Sequence, residues 1–243
     1  MSIFKVLWYN IRYRACFKEV NFMRDLKGFT LAEVLITIGV IGVVAAMTIP
    51  TLIQSYRNRI VETRLQKVYS IMNQAIQRAE ADYGAKELWD YADPDFWDKY
   101  FAPYIKVLKT ETVENGSTYN IIYFPDGSII AKKIDGSEYF YYPNGKNFNI
   151  KSLNETKKIN TGITLFTFRF NPTTEFTNKV NEKNPHYRKG FMPYAYHWNG
   201  TVADLKEGFY PCKENGNRTP NFCTMYIMQN GWKIPKDYPF KVK

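Results

Sequence analysis

From Phe29 to Ile49 the chain runs for 21 residues with one formal charge, Glu33. As a helix this stretch spans about 31 Å, the thickness of a bilayer's hydrocarbon core. It constrains the rest of the chain, because a segment so apolar needs lipid or other apolar helices around it. A carboxylate inside it costs roughly 3 kcal/mol near the bilayer centre, so Glu33 is a candidate functional residue. Six Lys/Arg and two Asp/Glu lie in residues 1–28, which places that side in the cytoplasm. Arg57, Arg59 and Arg64 on the far side dilute the bias. The run is longer than the apolar core of a cleaved secretory signal, and no Ala-x-Ala site closes it.

The helix is expected to continue past Pro50. Apolar residues recur at Ile53, Tyr56, Ile60, Val68, Ile71, Ala75 and Ala79, in steps of three or four with one double step across Arg64. That spacing predicts an amphipathic helix to about Tyr83, and Gly84 fits its C-terminal stop. Pro50 removes one backbone donor, so a kink is expected there. Gly39 and Gly42 lower helix propensity just before it.

Beyond Gly84 the pattern changes. Leu88, Trp89, Phe96, Trp97, Tyr100, Phe101, Tyr104 and Ile105 predict one or two short helices, broken near Asp93-Pro94, that pack on a sheet. Tyr119–Phe124 and Ser128–Ile134 flank Pro125-Asp126-Gly127, a hairpin signal. Glu138–Tyr142 and Asn147–Lys151 flank Pro143-Asn144-Gly145, read as a second hairpin. Ile163–Phe170 alternates, with Thr164, Phe166, Phe168 and Phe170 on one side. These segments predict an antiparallel meander of four or five strands. Past Asn171 the chain is rich in Pro, Asn, Gly and Lys, and regular structure is hard to place. The fold class is therefore α+β.

Net charge is +10, of which residues 1–28 carry +4, and no run of five like charges occurs. Charge so dispersed serves solubility, and nucleic-acid binding is not expected. Cys212 and Cys223, ten residues between them and flanked by turn formers, read as a disulfide in an oxidising compartment. Zinc is the competing reading, but it needs four ligands and the only histidines are His186 and His197. No metal or cofactor is expected. The chain has no Gly-x-Ser-x-Gly elbow, phosphate-binding Gly-rich loop or His-Glu-x-x-His, so no catalytic residue is assigned. Asp93, Asp95 and Asp98 sit close together near an expected helix start, where acids favour the dipole.

Gly28-Phe29-Thr30-Leu31-Ala32-Glu33-Val34-Leu35-Ile36 resembles the N-terminus of type IV prepilins and type II secretion pseudopilins. The likeness is good from Lys27 to about Gln54 and looser to Gly84. Gly231-Trp232-Lys233-Ile234-Pro235 is similar to the C-terminal tail of large bacterial prepilin-like proteins. The resemblance implies a prepilin leader at 1–28, cut by a prepilin peptidase between Gly28 and Phe29, with N-methylation of Phe29. It implies a transmembrane and assembly helix at 29–50, with Glu33 and Pro50 as assembly residues. An amphipathic continuation at 51–83 and an exported globular α+β head at 84–243 would follow. The expected fold is pilin-like, a long N-terminal helix packed on an antiparallel sheet. Met23-Arg24-Asp25-Leu26-Lys27-Gly28 makes a short basic leader by itself, which points to a start at Met23; the alternative is an extended leader from Met1, whose Lys5, Arg12, Arg14 and Lys18 suit a cytoplasmic face.

The expected function is a structural subunit, pilin or pseudopilin, of a type IV pilus or type II secretion filament, and not an enzyme. Its partners would be other subunits, the peptidase, an inner-membrane assembly platform and membrane lipid. It would sit in the inner membrane by a single pass, head outside the cytoplasm, and later in a periplasmic or surface filament. The alternative is a minor tip pilin acting as an adhesin or DNA-uptake subunit. A solvent-facing line of Tyr139, Tyr141 and Tyr142 with Lys132 and Lys133 would support it.

Overall fold

The computed structural model describes residues 28–90, 93–134, 136–151, 153, 160–170 and 190–243. Residues 1–27, Met23 among them, and His186 lie outside these. The chain divides into two units, one ending at Thr48 and the other Ile49–Lys243. Helix α1, Leu31–Tyr83, runs through both, with Pro50 inside it. It ends where predicted: Gly84 takes φ +80° and its N–H donates to Glu80 O at 3.0 Å. A left-handed glycine here closes the last turn without a Cβ clash.

In the second unit, α1 buries Val61, Leu65, Val68, Met72, Ala75, Ile76 and Ala79. This stripe is shifted from the expected one. Ile53 and Tyr56 are exposed, and Leu65 and Met72 are its centre. The stripe packs with Ile122, Ile130, Tyr139, Tyr141, Phe166 and Phe168 in the main core.

Those residues come from a six-stranded antiparallel meander in sequential order. The strands are β1 (Lys109–Glu114), β2 (Thr118–Tyr123), β3 (Ile129–Lys133), β4 (Glu138–Tyr142), β5 (Phe166–Arg169) and β6 (Met192–Pro193). The β2–β3 turn is the predicted Pro125-Asp126-Gly127, with Gly127 at φ +78°. Asp126 Oδ1 accepts from Ser128 N–H at 3.1 Å and Ser128 Oγ at 2.6 Å. Its other oxygen meets Lys67 Nζ of α1 at 2.8 Å. Burial alone would raise the Asp126 carboxyl, but the Lys67 and Ser128 bonds outweigh it and hold it below its ordinary value. Arg64 donates to Asp126 O at 2.7 Å and also to Pro143 O, tying both turns to α1. Arg64 thus serves the head's architecture.

The aromatic segment forms a 3₁₀ turn at Lys86–Leu88, helix α2 (Phe96–Tyr100) and a second 3₁₀ turn at Ala102–Tyr104, as expected except that Leu88, expected to pack, is exposed. Trp89, Phe96, Trp97, Tyr100 and Phe101 are buried in the main core.

The expected strand Asn147–Lys151 does not form. Asn144 accepts from Lys146 N–H and starts a 3₁₀ turn at Gly145–Asn147. The place beside β4 goes to β5, with Glu138 opposite Arg169 and Tyr141 opposite Phe166. β5 itself starts at Phe166, later than expected, because Gly162–Thr164 is a turn. Tyr139, Tyr141, Tyr142 and Lys132 are all buried, so no solvent-facing tyrosine line exists. Tyr139 and Tyr141 face the main core. Tyr142 faces the opposite cluster, with Tyr119, Ile121, Phe140, Leu153 and Leu165. Both faces of the sheet are covered, which is why four apolar residues run together in β4.

The C-terminal region supplies helices α3 (Val202–Glu207) and α4 (Cys223–Gln229), neither expected. Cys212 and Cys223 are joined in a third cluster with Met192, Tyr194, Leu205, Phe222 and Met225. Closing a loop this short stabilises by about 3 kcal/mol in the chain-entropy model. Gly162, at φ +83°, lies under the bridge, where an added Cβ would stand 2.8 Å from Cys223 Sγ. The Gly231–Pro235 motif clamps α1. Trp232 packs on Tyr69 with centroids 5.2 Å apart, and Glu62 accepts from Ile234 N–H at 2.9 Å and Lys233 Nζ at 3.0 Å.

Candidate functional site: the start of the long helix

Three of the predicted site residues, Gly28, Phe29 and Glu33, meet at the start of α1. Gly28 precedes the helix, and a Cβ there would meet nothing within 4 Å. No contact among the described residues demands a glycine there. Phe29 is 85% exposed, directly before Thr30.

Thr30 and Glu33 form a capping box. Thr30 N–H and Thr30 Oγ–H both donate to Glu33 Oε2 at 2.8 Å. In return Glu33 N–H donates to Thr30 Oγ1 at 3.2 Å. Two otherwise orphaned N–H groups of the helix end are satisfied at once. One carboxylate oxygen is thereby held toward the helix end, while Oε1 meets no donor among the described residues. A carboxylate has about four acceptor sites, so the box leaves capacity for an outside cation. Thr30 was absent from the sequence-based site, although Thr30-Leu31-Ala32-Glu33 is the Thr-x-x-Glu pattern that announces a box.

The other polar side chains of this stretch satisfy themselves. Thr37 Oγ1 donates to Val34 O at 2.9 Å and Thr48 Oγ1 to Val44 O at 3.0 Å. Between Phe29 and Tyr56 Glu33 is the one charged residue, and the apolar side chains of the stretch, Leu35, Ile36, Ile41 and Met47 among them, are exposed. The helix is long and apolar enough to cross a membrane. Pro50 is 17 residues from Glu33, about 26 Å along a helix, so the structure does not bring these two together. Cys212 and Cys223 belong to the second unit. His197 lies there too, at φ +67°. No group of three or more His, Cys, Asp or Glu that could hold a metal occurs among the described residues.

The comparisons with known proteins divide the chain at nearly the same place. The model of the prokaryotic N-terminal methylation motif, the signal of type IV prepilins and pseudopilins, matches residues 23–49. It bears out the resemblance carried by Gly28 to Ile36. No curated protein and no solved structure matches the chain. Residues 51–242 match the model described as "Family of unknown function (DUF6613)", and the chain belongs to that family, behind a prepilin-type N-terminal motif.

Proposed function

We propose that this protein is a structural subunit of a type IV pilus or type II secretion filament, cut after Gly28 and N-methylated on Phe29. Before cleavage the apolar half of α1 holds it in the inner membrane by a single pass, head outside the cytoplasm. After cleavage Phe29 carries a cationic amine. In the growing filament the apolar segments leave lipid for one another, guided by the assembly platform.

The observation that carries this reading is the Glu33 carboxylate. It is the one charge on an otherwise apolar, exposed helix surface, fixed on one oxygen and open on the other. Left unpaired in an apolar bundle it would be strongly penalised. The N-terminal amine of a neighbouring subunit removes that penalty and sets the axial register. A buried ion pair used this way specifies geometry more than it adds stability. The Thr30 box holds one oxygen of the carboxylate and leaves the other for the neighbour's amine, so the intramolecular and intermolecular contacts are compatible.

Glu33→Ala tests this. The variant is expected to be made, inserted and cleaved normally, since it removes a charge from the apolar segment. It should then fail to enter filaments or lower their yield sharply, and Glu33→Asp should be intermediate. Normal filaments from Glu33→Ala would reduce the segment to a hydrophobic anchor.

A further inference from the structure

A cleft of about 500 Å³ lies beside the part of α1 that follows the apolar stretch. Arg57, Ile60 and Arg64 of α1 form one wall, and Pro143, Lys146 and Lys243 the other. No Asp or Glu lines it. Lys243, the last residue, brings a carboxylate with its ammonium, so Arg57, Arg64 and Lys146 set the sign. Arg64 is held across the cleft by Asp126 O at 2.7 Å and by Pro143 O. Those carbonyls fix the guanidinium without neutralising it, and a fixed guanidinium fork suits a phosphate.

Three segments meet here. Gln54 Nε2 of α1 donates to Val242 O at 3.2 Å, and Asn147 Nδ2 donates to Lys243 O at 3.4 Å. Residues 50–61, 143–151 and 238–243 together hold six Lys/Arg and no Asp or Glu. The side chains after Gly28 carry a surplus of +6, the total of +10 less the +4 of residues 1–28. The whole surplus therefore lies in these three segments, and charge that looks dispersed along the sequence is gathered by the fold. The acids just beyond the segment ends, Glu62 and Asp237, are paired with Lys233 and Lys206. None of the six cations is in an ion pair with a described residue.

Position along α1 selects the anion. Exposed apolar side chains continue past Pro50 through Leu52, Ile53 and Tyr56, and Arg57 follows at once. Phe29 to Tyr56 is 28 residues, about 42 Å as a helix, the thickness of a bilayer with its headgroups. Tyr56 then falls at the interface, where tyrosine is favoured. Helical side chains lean toward the helix N-terminus, so Arg57 reaches back toward the headgroup layer. We propose that the cleft seats the phosphate of an anionic lipid between Arg57, Arg64 and Lys146. The site rests on the membrane-anchored reading and adds to it an electrostatic hold on the head, separate from the apolar helix. A subunit that leaves lipid for a filament gives this hold up.

The test is native mass spectrometry of the full-length protein in neutral detergent, titrated with phosphatidylglycerol, phosphatidylcholine or inorganic phosphate. Phosphatidylglycerol should bind about tenfold more tightly than phosphatidylcholine, and inorganic phosphate at the same concentration should not displace it. Arg57→Gln with Lys146→Gln should weaken the phosphatidylglycerol complex about 25-fold, near fivefold for each cation removed. Arg78→Gln with Lys106→Gln, exposed cations outside the three segments, should leave it unchanged. An unaltered Tm and an intact Cys212–Cys223 bond are the folding controls. Equal binding of the two lipids, displacement by inorganic phosphate, or an equal loss in both double variants would overturn the site. So would a protein dimer that excludes lipid and comes apart in the Arg57→Gln, Lys146→Gln variant, since an acidic segment of a second copy would then fill the cleft. A full-length protein recovered outside the membrane fraction would remove the membrane reading and this site together. A membrane-borne protein with no lipid preference would remove the site alone.

Discussion

Leu65→Ala and Leu35→Ala make the same chemical change on the same helix, and the structure assigns them opposite consequences. Leu65 is fully buried at the centre of the α1 stripe, one turn from Val61 and nearly one turn from Val68. Buried Leu→Ala changes cost about 2–5 kcal/mol, less where the site can collapse. Here one wall is a helix clamped by Arg64 and Glu62 and the other a six-stranded sheet, so collapse is limited. That excludes the low end of the range, and about 3–4 kcal/mol is expected. For a unit of 195 residues, Ile49–Lys243, each kcal/mol moves Tm by about 2–4 °C, giving roughly 6–16 °C. Leu35 is 62% exposed, so its loss should cost the head at most about 0.5 kcal/mol. The assay is thermal unfolding of the full-length protein in detergent, followed by near-ultraviolet circular dichroism at one scan rate. Equal shifts for the two variants, or a Leu65→Ala shift under about 2 °C, would refute the assignment of the two halves of α1.

Three further outcomes are expected. Asp126 is held below its ordinary value, so its contribution to stability is present above the unfolded-state value and is lost as pH falls through the folded one. Asp126→Asn should flatten the fall in head stability on the acid side of about pH 4, and an unchanged acid profile would contradict the Lys67 and Ser128 contacts. Breaking the Cys212–Cys223 bond by Cys212→Ser with Cys223→Ser should cost about 3 kcal/mol in chemical denaturation, and a loss below about 1 kcal/mol would count against it. Gly162→Ala combines a left-handed φ with a Cβ 2.8 Å from Cys223 Sγ, so it should destabilise by more than 1 kcal/mol, whereas Gly28→Ala should leave the unfolding midpoint unchanged.

The parts of the fold legible in the sequence are those where local signal and tertiary environment agree. The long helix carries a helical period, although the stripe it buries is shifted from the one expected, and its glycine stop. The Pro-Asp-Gly turn fixes β2 and β3, and Glu138–Tyr142 appears as β4 with the expected bounds. What was missed has identifiable causes. β1, Lys109–Glu114, is a mostly exposed edge strand with one apolar residue, Val113, so it carries no apolar alternation to read. The β4 tyrosines suggested a wet face because alternation assumes one, and both faces of this sheet are dry. The spurious strand at Asn147–Lys151 followed from treating Pro143-Asn144-Gly145 like Pro125-Asp126-Gly127. Asn144 instead starts a 3₁₀ turn, and a segment some twenty residues on takes the vacant edge. α3 and α4 are six and seven residues long and are held by the disulfide cluster, a context that local propensity does not contain. At the site, Gly28, Phe29 and Glu33 were legible because their motif is contiguous. The geometry that matters to Glu33, one oxygen held and one open, came only with coordinates.

If the chain is processed as a prepilin, the N-terminus of the mature protein records the cut. The protein should be purified from the membranes of cells with and without an active prepilin peptidase, and its N-terminal peptide sequenced by mass spectrometry. With the peptidase, the chain should begin at Phe29 and be one methylene heavier than its sequence. Without it, the chain should be uncut and retain Gly28. An N-terminus upstream of Gly28 in cells with active peptidase, or a cut at any other bond, would contradict prepilin processing.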